Sequence, residues 1–152
     1  MTPGSPDLVF IDSSVLFAAS MSARGHARGL LVAGLRGSFH LIISSLVLEE
    51  TERNLSAKAP RALPVFEILR DILTPWIVDP PDWLIQEVAE TIELKDAPIV
   101  AAAVHGRATF LATYDRRHLL SEAERIFERY QIRVVRPDAI MAPDDEETSS
   151  TD

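Results

Sequence analysis

Four of the 23 acidic residues in this chain stand apart by position: Asp12, Glu49, Asp96 and Asp115. Asp12 closes the apolar run Leu8 to Ile11, and Asp115 follows the apolar run Ala108 to Ala112. Glu49 falls on the second turn of a predicted helix, and Asp96 stands at the start of an alanine-rich one. A buried, unpaired carboxylate is costly, so Asp12 is expected at the carboxyl edge of a sheet, where open α/β folds keep their ligand crevice. Carboxylates gathered on such a rim repel one another, and a hard divalent cation with oxygen preference, Mg²⁺ or Mn²⁺, relieves the repulsion. Zinc is disfavoured, since the chain has no cysteine and its four histidines show no paired ligand spacing. The same residue types also suit helix caps and Asx turns (Asp12, Asp96) or a solvated helix face (Glu49), and position alone does not separate these readings.

The predicted elements alternate between strand and helix. Strands are expected at Leu8 to Ile11, Phe39 to Ile43, Ala108 to Ala112 and Ile132 to Val135, with a short extended piece at Trp76 to Val78. The first helix opens after Asp12, capped by Ser13 or Ser14, and a second runs from Arg24 to Arg36 on an apolar face of Ala27, Leu30, Leu31 and Leu35, stopped by Gly37. Ser44 or Ser45 caps a third through Lys58, where Leu46, Glu49 and Arg53 share a face at spacings of three and four. Pro60 begins a fourth, carrying Leu63, Phe66, Leu69 and Leu73 before Pro75. Further helices are expected over Asp82 to Ile92, from Asp96 to a cap at Gly106, and around Glu122 to Tyr130. Trp76 and Trp83 read as core or interface anchors.

At 152 residues the chain has room for one domain, expected over residues 1–143. Residues 144–152 carry five acids and no base, and their low apolar content predicts a disordered tail. Without those charges the net charge of −8 falls to about −3. That balance argues against broad coating of nucleic acid, but not against an enzyme that meets a polyanion through a few basic groups and bound cations. The opening residues show no basic segment followed by an apolar one, and no apolar run approaches the ~18 residues of a membrane span, so a cytoplasmic protein is expected.

With these motifs in order, the chain resembles the PIN-domain ribonucleases, especially the small bacterial and archaeal toxins of toxin–antitoxin pairs. FIDSSVL supplies Asp12, SSLVLEET supplies Glu49, KDAPIVAAA supplies Asp96 and LATYDRRHLL supplies Asp115. The resemblance implies a three-layer α/β/α sandwich around a mainly parallel sheet, and metal-dependent hydrolysis of RNA. It assigns Asp12, Asp96 and Asp115 to the principal Mg²⁺ or Mn²⁺, with Glu49 positioning water or a second ion. Ser14 and Thr113 become supporting residues, and Lys95, Arg116, Arg117 and His118 candidates for substrate contact. Two departures stand out: Ser13 and Ser14 replace the frequent Thr and Asn, and His118 stands where many relatives have another acid, which weakens the case for a second metal position. An antitoxin and a second copy of the chain are the implied protein partners. Pairing draws on Leu30, Leu31, Leu35, Phe66, Leu69 and Trp76 as apolar surface beyond what one core takes up.

Three other readings are weaker. An inactive RNA- or protein-binding scaffold does not need all four acids. A haloacid-dehalogenase-like phosphotransferase needs a second Asp at position 14, which is serine. A phospho-receiver needs a lysine near the last strand, and the only lysines are Lys58 and Lys95.

Overall fold

The computed structural model describes residues 7–141; the expected tail lies outside the described residues, as do residues 142 and 143. The elements run β1 (Leu8–Ile11), α1 (Ser13–Met21), α2 (His26–Leu35), β2 (His40–Ile42), α3 (Ser45–Lys58), α4 (Leu63–Leu73), α5 (Asp82–Val88), α6 (Ala97–His105), β3 (Phe110–Ala112), α7 (Ala123–Tyr130) and β4 (Arg133–Val135). Short 3₁₀ turns at Pro60–Ala62, Thr74–Trp76 and Leu120–Glu122 join them.

The four strands form one parallel sheet in the order β2-β1-β3-β4. Parallel pairing requires a crossover between neighbours, and helices supply it on both faces, giving the α/β/α sandwich. Both faces of β1 are therefore covered: Val9, Phe10 and Ile11 are fully buried, although successive side chains point to opposite sides. The chain passes from β1 to β2 on one side and returns to place β3 on the other. That change of direction makes β1/β3 the topological switch point, whose carboxyl-end crevice is where such sheets bind ligands.

β1 keeps the bounds the sequence pattern suggests and α3 ends at Lys58 as expected, but several other elements are shorter. β2 loses Phe39, while Ile43 leaves the ladder to form an isolated parallel bridge with Ile77, which uses the extended piece after Trp76. α5 ends at Val88, and tight turns carry the chain on, with the Glu90 and Thr91 amides donating to the Glu87 and Val88 carbonyls. In α2, Ala27, Leu30 and Leu31 enter the core, but Leu35 is 44% exposed. Gly34, not Leu35, takes the inward place against β2, where an added Cβ would overlap the Leu41 side chain. The apolar surface assigned to pairing is thus mostly core: Leu30, Leu31, Phe66 and Leu69 are buried within this chain. Trp76 and Trp83 are both exposed, so neither is a core anchor.

Candidate functional site

Register brings the first two carboxylates together. Ile11 pairs with Ala112, and the Asp12 amide continues the ladder by donating to the Ala112 carbonyl at 3.1 Å. Asp12 and Thr113 therefore leave adjacent strand ends side by side. Asp12 stands at the cap position of α1, but its side chain makes no capping hydrogen bond. Instead its Oδ2 accepts from the Thr113 hydroxyl at 2.7 Å and the Ser14 hydroxyl at 2.9 Å. Those hydroxyls accept in turn from the Asp115 amide (3.0 Å) and the Tyr114 amide (2.9 Å). Two side chains thereby tie a nearly buried carboxylate to the loop after β3, and the reading of Asp12 as a simple cap fails.

Asp115 follows on that loop, where its Oδ1 accepts from the His118 amide at 3.2 Å. Asp96 arrives from a different element. The turn before α6 is closed by the Asp96 and Ala97 amides, which donate to the Glu93 carbonyl. Asp96 caps nothing with its side chain either. It is only 5% exposed, and its Oδ2 has no hydrogen-bond partner among the described residues. Burial pushes its carboxyl above the usual carboxylate range; His118 partly offsets this, while Asp115, Glu122 and Glu93 add to it.

Asp12, Asp96 and Asp115 line one cavity of about 380 Å³ at the switch point, together with Ser13, Ser14 and Tyr114. The acid that α3 contributes is Glu50. Glu49 is exposed and lies outside the lining, whereas Glu50 lines the cavity and accepts a hydrogen bond from the Ser13 hydroxyl at 3.2 Å. One residue on a helix turns the side chain by about 100°, so the expected face, Leu46, Glu49 and Arg53, is the wrong one by a single step. The correct face was legible as a spacing of four, since Glu50, Asn54 and Lys58 all line the cavity.

The basic groups divide similarly. Lys58 and Lys95, the only lysines in the chain, both line the cavity. Arg116 and Arg117 are exposed and outside the lining, and His118 turns toward Glu93 and Asp96 instead. The acids and hydroxyls facing the cavity offer oxygen donors, and the buried Asp96 Oδ2 has no hydrogen-bond partner among the described residues. A hard divalent cation fits that set.

The family model for the PIN domain matches residues 8–117, well over half of the chain, a span that includes Asp12, Glu50, Asp96 and Asp115. The chain belongs to the PIN-domain family. No curated protein and no solved structure matches it. PIN domains are generally nucleases, so the fold is that of a hydrolase acting on nucleic acid, and the family typically binds divalent metals. No helix among the described residues is long and apolar enough to cross a membrane.

Proposed function

We propose that this PIN domain is a Mg²⁺- or Mn²⁺-dependent endoribonuclease whose site is built by Asp12, Asp96, Asp115 and Glu50. The observation that carries this reading is the convergence of four carboxylates and both lysines on one cavity at the β1/β3 switch point. Asp12, Asp96 and Asp115 would hold the ion, which when bound supplies a Lewis acid that polarises the phosphodiester and activates water. Ser14 and Thr113 fix the rotamer of Asp12 by occupying its Oδ2. Glu50 stands on the α3 wall as the acceptor for a proton from water, its orientation set by Ser13. Lys58 and Lys95 contact the RNA backbone, and the exposed Arg116 and Arg117 extend the same attraction outside the cavity.

The resemblance to small PIN toxins supports a cytoplasmic toxin with a cognate antitoxin. Pairing of two chains would use the surface that remains apolar outside the core, Ile68 and Ile72 on α4 with Trp76. Cleavage of single-stranded RNA by the purified protein, in Mg²⁺, in Mn²⁺ and in chelator, tests the activity. Glu50→Gln should lose most of it and Glu49→Gln should keep it. If no RNA is cut with either ion, the scaffold reading replaces the enzyme; if Glu49→Gln is the inactive variant, Glu49 and not Glu50 is the acid that α3 supplies.

A further inference from the structure

The negative charge of the chain is unevenly spread. Residues 13–48 contain no aspartate or glutamate, and three arginines, Arg24, Arg28 and Arg36, fall within them. All three line one groove of about 410 Å³ along α2, and no acidic side chain lines it. Elsewhere Arg70, Arg125 and Arg136 each meet a carboxylate at 3.1 to 3.6 Å, whereas none of the three groove arginines forms an ion pair among the described residues. Arg24 and Arg36 are exposed. Arg28 Nε donates to the Ala19 carbonyl at 2.8 Å, which fixes its guanidinium across the α1/α2 junction and leaves the terminal amino groups for an anion.

The groove is also lined by Met141, the last described residue. Chain continuity brings Asp144, Asp145, Glu146 and Glu147 toward it, since they follow Met141 by three to six residues and so reach at most about 10 to 20 Å. The 10 residues of α2 extend over about 15 Å. We propose that the acidic segment 144–147 docks in the arginine groove of α2 in its own chain and covers that face against other polyanions. Exposed ion pairs are individually weak. Attachment at Met141 nevertheless gives the segment an effective concentration on the order of millimolar, and four acids meet three arginines as a network. The low apolar content that keeps this segment out of the core suits a contact made by charge alone, which salt screens. The contact is independent of the metal chemistry, because no residue of the groove lines the carboxylate cavity.

The test sets the full chain beside a charge-neutral variant, Asp144→Asn, Asp145→Asn, Glu146→Gln and Glu147→Gln, both in chelator. At about 10 mM salt, where the screening length is about 30 Å, the side-chain ¹⁵Nε resonances of Arg24, Arg28 and Arg36 should differ between the two. Near 1 M, where that length is about 3 Å, the differences should vanish. A single-stranded dT oligonucleotide, used as a polyanion probe, should bind the neutral variant more tightly at low salt, with a log–log salt slope steeper by about two, roughly 0.7 for each arginine uncovered. Adding Arg24→Gln and Arg36→Gln should abolish most of that gain, which separates release of the groove from a general loss of negative charge. The proposal is overturned if the arginine resonances are the same in parent and neutral variant at low salt, or if the oligonucleotide gains equally with and without the two arginines. Differences that disappear on dilution would assign the groove to the acidic segment of a second copy, and overturn docking within one chain.

Discussion

Asp12 and Asp96 hold equivalent places, each 5% exposed at the start of a helix and neither capping it, yet their surroundings are opposite. Asp12 is met by two hydroxyls that are themselves held by backbone amides of the neighbouring strand end. Asp96 has an oxygen without a hydrogen-bond partner among the described residues, acidic neighbours, and one histidine as its compensating group. The first arrangement is pre-organised by the sheet. The second is left electrostatically incomplete, and the incompleteness has a direction: it favours a proton or a cation. Functional sites commonly concentrate such unbalanced groups.

The largest effect that tests this contrast is at Asp12. Asp12→Asn keeps the shape but removes the charge, and RNA cleavage should fall by more than about 100-fold, beyond the roughly 10- to 100-fold typical of a group that only orients a ligand. A loss of tenfold or less would mean that the hydroxyl network serves the fold alone. Thr113→Val comes next. It is near-isosteric at a fully buried position, and removes one donor to Asp12 while leaving the Asp115 amide without its acceptor. Cleavage should drop by about 10- to 100-fold, and urea unfolding should show a loss of about 1–3 kcal/mol. Parental activity in Thr113→Val would separate the network from catalysis.

The same contrast explains what could be read from the sequence. β1 and β3 were legible because a strand buried on both faces appears as an unbroken apolar run, and the acid ending each run marks the rim. Thr113 could be assigned by resemblance, but its bond to Asp12 depends on the Ile11–Ala112 register, which no local pattern encodes. Glu50 escapes the sequence reading because three closely spaced candidates, Glu49, Glu50 and Glu52, differ only in helical phase, and the phase set by Leu46 is not that of Asn54 and Lys58, which line the cavity. Leu35 was misplaced for a related reason. A glycine carries no hydrophobic signal, so the close approach of Gly34 to β2 is invisible until Leu41 is beside it.

The smallest effect is also the one most specific to Asp96. Its carboxyl titrates above the usual range, chiefly because it is buried, so the folded protein keeps this proton at pH values where the unfolded chain has released it. Between the ordinary carboxylate pKa and the raised native one, the native state binds more protons, and stability falls as pH rises through that window. The destabilisation is absent below the unfolded value and complete above the native one. Asp96→Asn removes the titration and leaves any pH-independent difference in place. Melting temperatures of parent and variant, followed in chelator from acid to neutral pH, should therefore diverge in one direction, with the variant gaining relative to the parent as pH rises. Added Mg²⁺ should raise the parent more than the variant, since a cation replaces the proton as the group that balances Asp96. A constant difference across pH would show that the unpartnered oxygen carries no electrostatic cost, and a variant that loses ground as pH rises would show that Asp96 is stabilised as an anion by its histidine neighbour.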